Sequence, residues 1–227
     1  MTSFLPAAPD RPASGPDTRG ERVVLCGPDG AAIGTADKVA VHDRDTPLHL
    51  AFSCYVFDSA GRTLVTRRAY DKRTFPGLRT NTCCGHPSPG EAIDDAVRRR
   101  VHDELGLDLD EITLVLPRFR YRAVATDGVV ENELCPVFRA VVTDPEVRPD
   151  PVEVAAAWWV PWAEFASPGT TGSNDGESMA DDSADPLSKW GREQLAELAQ
   201  LGPDPMSWPV ADPGELPSAA RFAGERS

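Results

Sequence analysis

The sequence is short of basic residues: 23 lysines and arginines stand against 36 aspartates and glutamates, and the formal net charge at pH 7 is −13. This balance argues against a surface that neutralises nucleic-acid phosphates or binds anionic lipid. The sequence also lacks any run approaching the ~20 consecutive apolar residues that a membrane-spanning helix requires. We therefore expect no nucleic-acid partner and no membrane insertion, and a phosphate-bearing ligand would need a local cluster of cations.

Cysteine is scarce, and its pattern does not indicate disulfides. The five cysteines are odd in number and no two of them are spaced as CxxC. Residues 1–20 lack the basic start and apolar middle of a signal peptide. Reduced thiols in a cytoplasmic protein are the interpretation that we favour, and such a thiol can serve catalysis or bind a ligand.

Proline and glycine are abundant, at 22 and 18 residues of 227, and this indicates that part of the chain is loop or tail. The 41% of hydrophobic residues suffices for one sizeable core. We predict a disordered N-terminal arm at 1–20, one domain at 21–201 and a proline-rich tail outside the core at 202–227. Residues 167–186 contain five acidic and no basic residues, and they are predicted to form an acidic loop.

Hydrophobic periodicity and turn residues predict mostly antiparallel strands with few helices, which is an α+β class of fold. One hairpin is expected at 21–35, and the clearest helix is expected at 91–105, where it stops at Gly106. A second helix is predicted at 187–201. The remaining strands are predicted at 49–57 and 63–69, which form a second hairpin, at 112–125 and 129–142, which form two long antiparallel strands, and at 152–160.

Three of the four histidines, His42, His49 and His86, sit beside turns or thiols. Glu131 and Glu133 lie two residues apart on a predicted strand, so both side chains leave the same face of the sheet. Three imidazoles and two carboxylates suit a divalent ion such as Mn²⁺, Mg²⁺ or Zn²⁺ in five- or six-fold coordination. The alternative is a structural or surface role for each histidine and a solvated outer face for the two glutamates.

Four basic residues, Lys38, Arg68, Lys72 and Arg100, recur near turns or on the predicted helix. In an acidic protein such a cluster can form an anion pocket. Ordinary surface charge is the alternative for Lys72. Arg100 lies at the edge of the apolar stripe of its helix, where a guanidinium needs a partner.

The segment 85–107, GHPSPGEAIDDAVRRRVHDELGL, resembles a Nudix box, except that Arg100 stands where Nudix hydrolases carry a glutamate. The motifs HLAFS, TNTCCGHP, FRYRA and ENELCPVF resemble those of type I isopentenyl-diphosphate Δ-isomerases, and they occur in the same order between about residues 21 and 201. The resemblance implies a Nudix-like α/β/α sandwich with a mixed, largely antiparallel sheet. It also implies conversion of isopentenyl diphosphate to dimethylallyl diphosphate, so the expected partner is a small isoprenyl diphosphate.

The resemblance assigns a role to each candidate residue. Cys84 matches the catalytic thiol, Glu133 the second catalytic group, Tyr121 a tyrosine that hydrogen-bonds that glutamate, and Trp190 an active-site tryptophan; Cys83 receives no role. One divalent metal, Mn²⁺, Mg²⁺ or Zn²⁺, would be bound by His42, His49, His86, Glu131 and Glu133. A Mg²⁺ that bridges to the substrate would be bound by Glu104 and the Cys84 carbonyl, and the diphosphate oxygens by Lys38, Arg68, Lys72 and Arg100.

Two other classes of function fit parts of this pattern. A Nudix hydrolase of a nucleoside diphosphate derivative would require a complete acidic cluster, which Arg100 interrupts. A metal-stabilised binding module without catalysis would leave Cys84 and Tyr121 without a purpose. The isomerase is therefore the function that the sequence predicts.

Overall fold

A computed structural model describes residues 20–167 and 186–221 of the chain, with the side chain of Arg221 excepted. The predicted N-terminal arm, the acidic loop and the last six residues of the tail lie, apart from their edges, outside the described residues. None of the helices in the described ranges has the length and apolar character needed to cross a membrane.

The strands form two sheets, and the α+β class with largely antiparallel pairing is confirmed. The first sheet has the order β2-β1-β3-β10-β9, and the second has the order β12-β5-β4-β11-β8, with β6 paired to β5 and β7 to β4. Pairing is parallel between β10 and β3 and between β11 and β4, and antiparallel between the other paired strands of the two sheets. The strands are β1 (Arg22–Cys26), β2 (Ala32–Asp37), β3 (His49–Leu50), β4 (Phe52–Asp58), β5 (Arg62–Arg68), β6 (Arg79–Thr80), β7 (Cys83–Gly85), β8 (Glu111–Leu116), β9 (Arg120–Val124), β10 (Val130–Leu134), β11 (Val137–Val142) and β12 (Val154–Pro161).

The predicted strands at 49–57, 112–125 and 129–142 were wrong as continuous elements, because each is split between the two sheets. The pairs β8/β11 and β9/β10 are antiparallel as predicted, but the hairpin passes from the second sheet to the first between them. Pro117 and Pro136 stand at the two breaks, and proline has no N–H to continue a ladder. The 49–57 segment divides at Ala51, whose N–H donates to the Leu134 carbonyl.

Two helices were predicted, and both are present. The 91–105 helix begins two residues later than expected and ends at Gly106, whose φ of +66° is the left-handed conformation that glycine adopts readily. The 187–201 helix ends in a single 3-10 turn. The helices are α1 (Lys38–Val41), α2 (Ile93–Leu105), α3 (Trp162–Phe165), α4 (Lys189–Leu198) and α5 (Ser218–Arg221), with 3-10 turns at Ala199–Leu201, Pro205–Ser207 and Pro213–Glu215.

Strand β4 separates two hydrophobic clusters. Phe52, Cys54 and Val56 belong to the cluster that includes α2, whereas Tyr55 and Phe57 belong to the cluster that includes α4. This alternation is the period of a strand whose two faces are both buried. The second sheet therefore lies between helices, which is the layering that the resemblance implied.

The prediction that residues from 202 onward lie outside the core was wrong for the described part of that segment. Trp208 is 3% exposed and packs edge-to-face on Phe57 and Trp162. Leu216, Ala219 and the neighbouring alanine are buried in the cluster that includes α2. Five prolines indicated irregular backbone correctly, but irregular backbone can still carry apolar side chains into a core.

Candidate active site

A cavity of about 640 Å³ lies beside β7, α1 and α2, between residues of both sheets. Its wall contains nearly all the residues that the sequence analysis identified as candidates. His49 is the exception, because it is fully buried directly behind the wall. The predicted residues that line the cavity are Lys38, His42, Arg68, Lys72, Cys84, His86, Arg100, Glu104, Tyr121, Glu131, Glu133 and Trp190. Segments that are far apart in sequence therefore contribute to one site.

Three imidazoles and one carboxylate form a compact cluster at one end of the cavity. Each of His42, His49, His86 and Glu133 offers one ligand atom, and these atoms all lie within 4.8 Å of one another. The Nε2 atoms of His49 and His86 are 3.2 Å apart, and His86 Nε2 is 3.1 Å from Glu133 Oε1. Glu131, the fifth predicted ligand, lies outside this close set, although it also lines the cavity.

Hydrogen bonds at the far side of two imidazoles orient them towards the cluster. The Nδ1 atom of His42 is 2.7 Å from the Lys38 carbonyl, and that of His49 is 3.0 Å from the Pro47 carbonyl. A carbonyl only accepts, so each Nδ1 must carry the proton and each Nε2 can present a lone pair. Such backing of metal-ligating histidines is common, and the donor set therefore fits a divalent cation.

The electrostatics of the cluster also fit a cation. Burial lowers the pKa of His86 to about 3. Burial would raise the pKa of Glu133, but the adjacent His49 and His86 imidazoles outweigh it and hold this pKa well below its usual range. Burial lowers and the Glu133 contact raises the pKa of His49, and the contact prevails. The buried carboxylate among three imidazoles attracts positive charge, which a bound divalent cation can supply.

Cys84 faces the cavity from β7, and its neighbour Cys83 faces the opposite way. The Cys84 Sγ donates to Asn81 Oδ1 at 3.2 Å and lies 3.2 Å from Ser53 Oγ. Burial raises the pKa of Cys84 to about 12, even though both of these hydrogen bonds lower it. Cys83 is only 1% exposed and belongs to the cluster that includes α2, as the alternation of side chains along a strand requires.

A chain of buried polar side chains, absent from the predictions, supports Cys84 from behind. The Tyr55 hydroxyl donates to Gln194 Oε1 at 2.9 Å, and Gln194 Nε2 donates to Ser53 Oγ at 2.8 Å. The amide orientation of Gln194 is thereby determined at both ends. These residues lie 139 and 141 positions from their partners, so local pattern could not reveal them.

Trp190 and Tyr121 form an aromatic wall with ring centroids 5.6 Å apart. The Tyr121 hydroxyl lies within hydrogen-bond distance of two carboxylates, 2.8 Å from Glu133 Oε2 and 2.9 Å from Glu131 Oε2. The Trp190 indole N–H donates to Thr80 Oγ1 at 2.9 Å. The guanidinium carbon of Arg68 lies 5.9 Å from the centre of the Trp190 ring, within the range of a cation–π contact.

The remaining cations line the other end of the cavity. Lys72 hydrogen-bonds Glu153, and Arg100 hydrogen-bonds Glu104 one turn along α2. Arg100 therefore has the partner that its position required. Lys72 is not an ordinary surface charge, because its side chain is only 26% exposed and lies in the cavity wall.

Two further cations and two acidic groups complete this end of the site. Lys38 pairs with Glu21 at 2.7 Å, and the Arg68 guanidinium donates to the Thr74 carbonyl at 2.9 Å. Burial raises the pKa of Glu104. Burial would also raise the pKa of Glu153, but the positive charges of Lys72 and Arg100 outweigh burial, and the pKa of Glu153 is lower than usual. Glu153 carried no sequence signal beyond being a glutamate after a turn.

The Nudix-like segment is organised around one ion pair. Arg99 Nε donates to Glu91 Oε1 at 2.6 Å, and the Arg99 guanidinium also reaches the His86 carbonyl at 3.5 Å. This pair and the Arg99 contact connect α2 to the loop that carries His86, so the helix and that loop have a defined relative position.

The architecture, with two mixed sheets and a cavity beside helix α2, defines the class of protein. The chain belongs to the NUDIX domain family, whose profile matches residues 47–181. A MutT protein from Methanosarcina mazei Go1 shares the fold with a TM-score of 0.51 at 17% identity, over 68% of this chain and 94% of that one. Within the family, the chain is a member of the isopentenyl-diphosphate Delta-isomerase group. It is 53% identical to the Saccharopolyspora erythraea isomerase over 89% of this chain and 98% of that protein, and 50% identical to the Rhizobium rhizogenes isomerase over 88% and 91%.

Proposed function

We propose that this protein isomerises isopentenyl diphosphate to dimethylallyl diphosphate, a step of isoprenoid biosynthesis. The observation that carries the proposal is the meeting, in one cavity, of a thiol, an imidazole–carboxylate cluster and a group of cations. The proposed substrate has two matching parts: an alkene for the thiol and the carboxylate to protonate and deprotonate, and a diphosphate for the cations to bind. The extent of identity to isomerases, which covers nearly the whole chain, supports the same conclusion.

The reaction adds a proton at C4 and removes one from C2, so it requires two proton carriers. We assign these roles to the Cys84 thiol and the Glu133 carboxyl, each acting as acid or base according to direction. The Tyr121 hydroxyl, 2.8 Å from Glu133, orients that carboxyl. Asn81 and Ser53 orient the thiol through their 3.2 Å contacts.

Divalent metal is proposed at two places. One ion, Mn²⁺, Mg²⁺ or Zn²⁺, would be bound by His42, His49, His86 and Glu133, with Glu131 alongside. A Mg²⁺ shared with the substrate would be bound by Glu104 and the Cys84 carbonyl. When bound, such ions supply positive charge that orients carboxylates and neutralises phosphate oxygens. The protein's own contribution is the preset direction of the His42 and His49 imidazoles and of the Glu133 carboxylate.

We assign binding of the substrate diphosphate to Lys38, Arg68, Lys72 and Arg100. We also propose that the enzyme is cytoplasmic and acts on a small soluble substrate. The Trp190 ring can stabilise positive charge at C3 without offering a nucleophile. The reaction requires that water be kept from the reacting carbon atoms, because water would trap a tertiary cation or hydrolyse the allylic product.

The purified protein with Mg²⁺ and isopentenyl diphosphate is expected to form dimethylallyl diphosphate without releasing inorganic phosphate. The physical reason is Arg100, a permanent cation where a hydrolase has a metal-binding carboxylate, so the cluster that activates water is incomplete. Product analysis by chromatography, with a parallel phosphate assay, tests this. Phosphate or nucleotide release from nucleoside diphosphate derivatives, with no allylic product, would establish the hydrolase instead.

Exchange of the tryptophan in the aromatic wall tests its electronic role. Trp190→Phe is expected to retain several-fold more activity than Trp190→Leu, because phenylalanine keeps a ring quadrupole and leucine keeps only bulk. Both variants lose the indole hydrogen bond to Thr80, so that loss cancels in the comparison. Steady-state kcat values for the two variants provide the measurement, and equal values would mean that Trp190 only packs against Tyr121 and Phe75.

A further inference from the structure

Glu153 is a buried carboxylate in the cavity wall that belongs to none of the sequence motifs. It immediately precedes β12, and its side chain is 8% exposed. Its backbone is secured on both sides: its N–H donates to the Asp150 carbonyl at 3.0 Å, and its carbonyl accepts from the Ala69 N–H at 2.9 Å. The position of this carboxylate is therefore set by the fold.

Glu153 contacts two of the cations at its end of the cavity. Its Oε2 accepts from the Lys72 ammonium and lies 3.5 Å from Arg100 Nη2. Arg100 also bonds Glu104. These four groups carry two positive and two negative charges, and all of them line the cavity, so they balance one another before any ligand enters.

This balance has different consequences for two forms of the same ligand. A diphosphate without metal is attracted by Lys72 and Arg100 but repelled by Glu104 and Glu153, and the repulsion is stronger in a partly desolvated cavity than in water. A diphosphate that carries a divalent cation brings positive charge towards the same carboxylates. The cluster therefore discriminates by metal content.

We propose, on the basis of the proposed diphosphate site, that Glu153 makes diphosphate binding depend on the divalent cation. Its carboxylate directs Lys72 and Arg100 into the cavity and opposes a diphosphate that arrives without metal. Glu153 is a positioning residue, because it acts through the two cations and through its charge. The ligand class so selected is the magnesium complex of a diphosphate ester.

The experiment measures the affinity of the full-length protein for inorganic pyrophosphate with and without Mg²⁺ by isothermal titration calorimetry. No chelator is used, and elemental analysis before and after shows whether the His/Glu cluster has kept its metal. Glu153→Gln, which keeps the size and loses the charge, is expected to bind metal-free pyrophosphate about tenfold tighter, a change of ~1.4 kcal/mol. The ratio of the two dissociation constants should shrink accordingly.

Three controls make the result specific. Glu153→Asp keeps the charge and is expected to keep most of the Mg²⁺ dependence. Glu111→Gln breaks a carboxylate–arginine pair outside the cavity, between the exposed Glu111 and the buried Arg139, and should leave the ratio unchanged. Glu153→Ala is a second neutral variant in case the glutamine variant folds poorly, and a gain in metal-free affinity cannot arise from unfolding.

The outcomes separate this inference from the function on which it rests. Equal ratios in the wild type and in both neutral variants would overturn the role of Glu153 and leave the isomerase proposal intact. Failure of the wild type to bind pyrophosphate even with Mg²⁺ would remove the diphosphate site, and this inference with it.

Discussion

Replacement of Cys84 by alanine is expected to lower kcat for isomerisation by roughly 10²- to 10⁴-fold, the range that a positioned acid or base contributes. The melting temperature should barely change. The Cys84 thiol faces the cavity and is half-buried, so alanine removes a proton carrier and leaves little empty packed volume. Steady-state kinetics and thermal unfolding followed by circular dichroism measure the two effects.

Cys83→Ala is the matched control, one residue away and on the opposite face of the sheet. Cys83 is 1% exposed in the core, so its truncation should lower the free energy of unfolding by about 1 kcal/mol. Its kcat should remain close to that of the wild type. A Cys84→Ala protein that kept more than about a tenth of the wild-type kcat would exclude the thiol as a proton carrier, since that loss equals under ~1.4 kcal/mol of transition-state stabilisation.

Metal removal is expected to abolish most activity and also to lower the melting temperature by roughly 5–10 °C, which corresponds to an ion present at about 100 times its dissociation constant. The reason is geometric: His42, His49, His86 and Glu133 come from four separate segments, and only the folded chain brings them together. Dialysis against a chelator, elemental analysis and calorimetry with re-addition of Mn²⁺, Mg²⁺ or Zn²⁺ provide the measurement.

The fourth histidine supplies the control for metal removal. His102 is exposed on α2, pairs with Asp108 and is not a member of the cluster. His102→Ala should retain the bound metal and its thermal stabilisation, whereas His86→Ala should lose both. Active, metal-starved protein with an unchanged melting temperature would contradict the proposed metal site.

The fold was predictable where one local signal decided the outcome. The α2 helix has apolar side chains at three- and four-residue steps and a glycine at its end, so its type and its stop were both correct. The long strands were harder, because alternation of apolar residues continues across Pro117 and Pro136 and contains no information about which sheet each half joins. Trp208 was missed for a related reason: proline-rich sequence reports irregular backbone and says nothing about burial.

The residues of the candidate site also fall into those that the sequence predicted and those that it did not. Residues carried by motifs, such as Cys84 and Glu133, lie together in the cavity, although their catalytic roles stay predictions. Ser53, Gln194 and Glu153 carry no motif signal, because their significance arises from partners that folding brings close. A lone polar residue in a strand or turn looks the same whether it faces solvent or supports a reacting group.

The segment after residue 202 has a consequence for the order of folding events. The Ala219 N–H donates to the Gly30 carbonyl at 3.0 Å, and Ser218 reaches the same carbonyl from 188 residues away in sequence. Contacts of such long range raise the relative contact order, and they form only after most of the intervening chain has been ordered. We expect the α2 side of the core to close late, with α5 and Leu216 among the last parts to dock.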